Sequence, residues 1–311
     1  MGKVAFLFSG QGAQYTGMGK DLYENVKPSR EVFESADEAL GFSISNMCFS
    51  GPKEQLDKTE NTQPAILTTS IAALRALEQY GIKPDIAAGL SLGEYSALVL
   101  SGAFNFKDAV VLVKKRGKYM QEAVPQGVGA MSAIIGLKVP QVESICNDCS
   151  DSGIVEIANL NCPGQIAISG EEAAVKKASK MAIERGARKA VELHVSGPFH
   201  TSMMKPAAQK LEVELKNINI SRIDVPVITN VTGEIIEDIS DVRTLLKKQV
   251  MSTVYFEKTI KNMMNMGVDT FIEIGPGKVL SSFARRVNRK VTILNVQDID
   301  SLNSTIEKLN N

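Results

Sequence analysis

The stretch "KPDIAAGLSLGEYSALVL", residues 83–100, constrains the fold more than any other part of the chain. It reads as a short apolar strand, a tight turn holding Ser91 between Gly89 and Gly93, and an apolar helix stopped at Ser101 and Gly102. The turn satisfies G-x-S-x-G, in which a serine rides a sharp strand-to-helix corner that lifts its hydroxyl clear of the backbone. The pattern alone is short, but the strand, turn and helix that it requires are all present in order. That places Ser91 as a candidate nucleophile in an α/β architecture.

The flanking segments extend the alternation. "KVAFLFSGQGAQ" (3–14) predicts a buried strand that delivers a glycine-rich loop to one edge of a sheet. Its glycines do not form a dinucleotide-binding G-x-G-x-x-G, because Tyr15 stands where the third would be. Residues 62–80 predict a helix with Pro64 in its first turn and Gly81 just past its end. Residues 106–123 predict another behind Asn105 as N-cap. A different order follows: strand 129–136, helix 139–150, strand 154–159, strand 165–169, helix 171–185 and strand 188–195. This β-α-β-β-α-β run is the ferredoxin-like order and predicts an inserted small domain over 126–196. The large domain would then comprise 1–125 and 197–311. Its second part predicts helix 202–216, strand 225–229, helices near 241–250 and 256–267, and a strand-turn-helix over 269–287. The "GPGK" in that last unit is no phosphate-binding loop, since the upstream glycine is absent and Val279 replaces Ser or Thr.

Charge and composition narrow the partners. Lys plus Arg and Asp plus Glu are 35 each, so nothing global favours nucleic acid or an anionic membrane. No apolar run approaches the roughly 18 residues that span a bilayer. The opening residues lack a cleavable signal layout, and Phe6 breaks the myristoylation pattern despite Gly2. A cytoplasmic protein is expected. Cys48, Cys146, Cys149 and Cys162 are too few and too irregular for a disulfide framework. Cys146 and Cys149 form a C-x-x-C inside a predicted helix with no second pair to complete a zinc site, so no metal is expected.

A serine hydroxyl needs a positioned base, and histidine is the usual one. The chain offers only His194 and His200. His194 lies in "KAVELHVSG", where it shares a strand face with Glu192, as a solvated histidine would. His200 follows "SGPF", a turn pinned by Gly197 and Pro198. His200 is the favoured base, although spacing alone leaves a helix-start histidine without chemistry equally open.

Six stretches, taken together, carry a resemblance: "FLFSGQGAQYTGMGKDLY", "GLSLGEYSALV", "KKRGKYMQEAVP", "NCPGQIAISG", "VSGPFHTSMMKPA" and "FIEIGPGKVL". In order and over nearly the whole chain they resemble the successive motifs of malonyl-CoA:acyl carrier protein transacylases. The resemblance implies an α/β-hydrolase-like large domain with a parallel sheet and a ferredoxin-like insertion. It implies Ser91 as the acylated nucleophile and His200 as general base, with the backbone carbonyl of Gln249 orienting the imidazole. Backbone N–H groups of Gln11 and Leu92 would form the oxyanion hole. Arg116, which read in isolation is one member of the charged run "KKRGK", would hold the malonyl carboxylate through its planar fork. Met120, Asn161 and Phe199 would complete the substrate site, the Phe199 ring filling space that an α-methyl branch would need.

The family often has histidine before the nucleophile, and this chain has Leu90. The implied reaction is ping-pong transfer of malonyl from malonyl-CoA to the phosphopantetheine thiol of acyl carrier protein for fatty acid synthesis, by a monomer without cofactor. A discrete acyltransferase of a polyketide assembly line would share every motif, and an acyl hydrolase of the same fold is a further alternative. "ARRVNRK" (284–290) and "RGARK" (185–189) are candidate basic surfaces for an acidic carrier protein.

Overall fold

A computed structural model describes residues 2–125, 127–193, 195 and 197–310. In chain order the elements are β1 (Lys3–Phe8), α1 (Lys20–Asn25), α2 (Lys27–Leu40), α3 (Ile44–Ser50), α4 (Lys53–Leu56), α5 (Thr59–Glu78), β2 (Ile86–Gly89), α6 (Gly93–Leu100) and α7 (Phe106–Glu122). There follow β3 (Gly129–Ile135), α8 (Val139–Asp148), β4 (Val155–Cys162), β5 (Gln165–Glu171), α9 (Glu172–Glu184) and β6 (Lys189–Leu193). The chain ends with α10 (Lys205–Asn217), α11 (Val242–Gln249), α12 (Phe256–Asn265), β7 (Val268–Ile274), α13 (Val279–Val287), β8 (Thr292–Val296) and α14 (Ile299–Asn310).

Two sheets organise these elements. The first is parallel, in the order β2-β1-β7-β8. Side chains alternate across its plane: Phe6, Phe8, Ala87, Ile272 and Ile274 join one apolar core, and Ala5, Leu7, Ala88 and Phe271 join another. Burial on both faces is why β1 and β2 read as continuous apolar runs rather than alternating ones. The second sheet is antiparallel, in the order β4-β5-β3-β6, with α8 and α9 packed on it. This is the ferredoxin-like arrangement expected from the sequence. Backbone bonds from Leu160 to Val254 and from Val254 to Ala158 tie β4 to the loop after α11.

Three local expectations need correction. The helix around Pro64 starts at Thr59, not 62, so the proline lies in its second turn, where its missing N–H leaves the Glu60 carbonyl without an intrahelical donor. Nearly all of α5 is buried, and that packing holds the helix across the proline. The predicted strand 225–229 is reduced to single bridges, Ala87 with Val227 and Ile228 with Ile235; Pro226 has no N–H to extend the ladder. The helix expected from 202 begins at Lys205 after a tight turn, with Pro206 in its first turn.

Cys146 lies buried in the last turn of α8, with burial pushing its thiol up to about 12. Cys149 lies just beyond it, also buried. Among the described residues no cluster of His, Cys, Asp and Glu is placed to hold a metal, and no helix is long and apolar enough to cross a membrane. His194 lies outside the described residues.

Candidate active site

The corner at Ser91 is built by close approach. A Cβ on Gly89 would lie 2.0 Å from the Gly93 carbonyl carbon, and one on Gly93 would lie 2.1 Å from the Phe8 carbonyl oxygen. Only glycine lets β2 turn into α6 directly against β1. Ser91 itself takes φ 53°, the left-handed region that an L residue enters only when its surroundings impose it. Asn230 and Gln249 supply part of that constraint: Asn230 Oδ1 accepts the Ser91 backbone N–H at 2.6 Å, and Gln249 Nε2 donates to the Ser91 carbonyl at 3.0 Å.

His200 meets this serine across 109 residues of sequence. Its Nε2 lies 2.8 Å from Ser91 Oγ, and its Nδ1 lies 2.8 Å from the Gln249 backbone carbonyl. Since a carbonyl can only accept, Nδ1 carries the proton and Nε2 is left to accept from the serine hydroxyl. The His200 backbone N–H donates to the Val250 carbonyl, so the end of α11 holds both ring and main chain. Burial, and then the positive charge of Arg116, push the imidazole down from its ordinary 6.5 to about 4, against the opposing pull of the Gln249 carbonyl. The ring is therefore neutral at neutral pH, with the Nε2 lone pair turned to the serine hydroxyl.

Arg116 rises from α7 and is 1% exposed. Nη2 donates to Ser91 Oγ at 3.1 Å and to Gln249 Oε1 at 3.0 Å, while Nη1 donates to Gln63 Oε1 at 2.8 Å. Its guanidinium carbon lies 5.3 Å from the centre of the buried Tyr95 ring. Burial lowers its pKa, and Tyr95 and Glu94 oppose that shift; a guanidinium remains charged in any case. All three hydrogen-bond partners are neutral oxygens, which a carboxylate would outbid.

A cavity of about 280 Å³ opens over Ser91. Gln11, Leu92, Met120, Asn161 and Phe199 all reach its wall, as do Ser91, His200 and Arg116. Leu92 immediately precedes α6, and Gln11 sits in the loop after β1, anchored by its Nε2 on Thr59 Oγ1 at 3.1 Å. Leu90 also lines the cavity, and its carbonyl blocks any side chain at position 10. Gln249 does not line the cavity; it lies behind the reacting groups, fully buried. The antiparallel sheet closes the opposite side with Met131, Ala133, Asn159, Gln165 and Ala167.

Sequence reasoning missed Gln63, Glu94, Asn230 and the side chain of Gln249. Glu94 alone left a signal, as the one acidic residue in an otherwise uncharged helix.

Comparison with known proteins bears on what this arrangement does. Residues 5–304 match the acyl transferase domain family. The malonyl CoA-acyl carrier protein transacylase of Bacillus subtilis (strain 168) is 49% identical over 310 residues, covering 99% of this chain and 98% of that one. The crystal structure of malonyl CoA-acyl carrier protein transacylase from Clostridium perfringens gives a TM-score of 0.96 at 52% identity, covering 99% of this chain and 97% of that one. A malonyl-transacylase solved in complex with its type II PKS acyl-carrier protein gives 0.96 at 39% identity, covering 98% and 99%. On matches of this extent the chain belongs to the acyl transferase family, as an acyltransferase among the malonyl CoA-acyl carrier protein transacylases.

Proposed function

We propose that this chain transfers malonyl from malonyl-CoA to the phosphopantetheine thiol of acyl carrier protein through a malonyl-Ser91 intermediate. The observation that carries the reading is the convergence of His200 Nε2 and Arg116 Nη2 on one oxygen, Ser91 Oγ, at 2.8 and 3.1 Å.

His200 Nε2 takes the hydroxyl proton as Ser91 Oγ attacks the thioester carbonyl. Backbone N–H groups of Gln11 and Leu92 stabilise the oxyanion, one such donor being worth about 2.7 to 4 kcal/mol. The C–S bond breaks, and the CoA sulfur leaves with the proton returned by the imidazolium. The carrier thiol then gives its proton to His200, its sulfur attacks the malonyl ester, and Ser91 recovers its hydroxyl. Arg116 gives up neutral partners to bind the malonyl carboxylate with its fork. An acetyl group offers no such replacement. Phe199 lies in the cavity wall, and in this reading its ring takes the space that an α-branch would need. No cofactor takes part.

Residues 126–196 form the inserted unit of this reading and the remainder the catalytic domain. The enzyme acts as a cytoplasmic monomer on a fatty acid synthesis carrier. The relative bound to a type II PKS carrier favours a second reading, in which the carrier belongs to a polyketide assembly.

The test is intact-protein mass spectrometry after brief mixing with malonyl-, acetyl- or methylmalonyl-CoA. The native chain should gain a malonyl adduct, Ser91→Ala none, and Arg116→Ala should lose the preference over acetyl. Phe199→Ser should narrow the preference over methylmalonyl. Free malonate without an adduct would point to a hydrolase. Competing fatty acid and polyketide carriers for the loaded enzyme decides between the two carriers.

A further inference from the structure

Glu94 is the second residue of α6 and has no exposed surface. Withdrawing a carboxyl group from water is costly unless donors replace the hydration. The mechanism above gives it nothing to do. Its surroundings do. Oε2 accepts two hydrogen bonds, from the Asn230 backbone N–H at 2.9 Å and from Gln249 Nε2 at 2.6 Å. These are the two residues that bracket the Ser91 backbone from either side. Asn230 is further fixed by donating Nδ2 to the Gly89 carbonyl at 2.7 Å, at the mouth of the same corner. Gln249 reaches the other reacting groups as well, through its backbone carbonyl to His200 Nδ1 and its Oε1 to Arg116 Nη2.

We infer that Glu94 is a positioning residue for acyl transfer. One acceptor oxygen, Oε2, orders Asn230 and Gln249, and these order the nucleophile, its base and the guanidinium together. Without that acceptor the Gln249 amide keeps only the Ser91 carbonyl and Arg116 as partners and Asn230 loses the acceptor of its backbone N–H, so both clamps on the left-handed Ser91 backbone are loosened. The role belongs to the position of the oxygen. The inference rests on Ser91 being the acylated residue, as proposed above.

Two conservative variants separate the position of the oxygen from the carboxyl group itself. Glu94→Gln keeps a carbonyl oxygen within reach of both donors and removes the carboxyl group. Glu94→Asp keeps the carboxyl group and withdraws the oxygen by about 1.5 Å, one carbon–carbon bond. The measurement is single-turnover acylation by malonyl-CoA, followed by rapid-quench mass spectrometry and normalised to folded protein by circular dichroism. Glu94→Asp should lower the rate at saturating malonyl-CoA about 100-fold, the loss expected of a misplaced reacting group. Its half-saturating concentration should stay within about threefold of native, because the Arg116 guanidinium is unchanged and is also positioned by Gln63, a partner that Glu94 does not hold. Glu94→Gln should recover the rate to within about tenfold of native. A faster Glu94→Asp, or equal rates in the two variants, overturns the inference. A native chain that forms no malonyl adduct overturns the functional reading and this inference with it, and shows itself before any variant is compared.

Discussion

Ser91 and His200 are the two non-glycine residues with positive φ among those described, at 53° and 62°. Each such residue costs roughly 1–3 kcal/mol, so the fold spends stability at the two positions whose atoms must meet. His200 adds a pH-dependent part. Its folded pKa, about 4, lies below the ordinary 6.5, so below pH 6.5 the unfolded chain binds a proton that the folded chain refuses. The stabilisation is complete above pH 6.5 and falls away as pH drops towards about 4, by up to about 3 kcal/mol. Acylation follows the same group: its rate should hold from pH 8 down to near 5 rather than halve at 6.5. Single-turnover acylation across that range checks the rate, and urea unfolding at each pH checks the stability; a midpoint near 6.5 in the rate would contradict the buried, neutral imidazole. With only two histidines in the sequence the proposed base is half-legible there, and the family motifs favour His200 over His194. Gln63 and Asn230 were not visible, because nothing local marks a glutamine or asparagine whose partners lie 53 and 139 residues away.

The corner from β2 to α6 was the most legible element, since its geometry follows from local rules: a short strand, glycines at the two contacts, a helix. Gly93 makes the rule testable. Gly93→Ala places a methyl against the Phe8 carbonyl and should destabilise the chain by about 1–3 kcal/mol, read from chemical denaturation, with a matching loss of acylation as the corner shifts. Elements governed by distant packing were less legible. The start of α5 was placed late because Pro64 looks like a first-turn residue, whereas burial along almost the whole helix offsets the missing hydrogen bond. The segment after α10 is apolar enough to suggest a strand, yet with Pro226 lacking an N–H it forms one bridge to β2, Ala87 with Val227, and one to the chain just beyond it, Ile228 with Ile235. Helix α13 shows a division that its sequence only hinted at. Val279, Leu280 and Phe283 line the cavity over Ser91, while Ser282, Arg285 and Arg286, with Arg289 just beyond, line an open groove with Pro163.

Across the whole molecule the charges cancel, 35 against 35, but that groove is basic and adjoins the active cavity: Arg286 donates to Gln165, which lines the cavity wall, at 2.6 Å. By contrast, Arg185 of the other candidate patch is engaged by Asp148 at 2.6 Å. A carrier protein of acidic surface should therefore be drawn to the face bearing Arg285 and Arg289. Its apparent affinity in the second half-reaction should fall several-fold between about 0.01 and 0.15 M salt, as the screening length shrinks from roughly 30 to 8 Å. Arg285→Ala/Arg289→Ala should flatten that dependence while leaving acylation by malonyl-CoA intact; a salt response the same as the native chain's would remove the groove from the docking surface. The two sheets follow from element order, and Asn161 already tied the inserted unit to the substrate site; the wider wall of Met131, Ala133, Asn159 and Ala167 was not legible, because it depends on how β4 is tied to the loop after α11. For an engineer this joint ownership of the cavity supplies an address. Ser91 and His200, the proposed nucleophile and base, hang from one scaffold, and the facing wall of Met131, Ala133, Asn159 and Ala167 hangs from another. A library confined to that wall can explore new acyl donors without re-solving the problem of making a serine react.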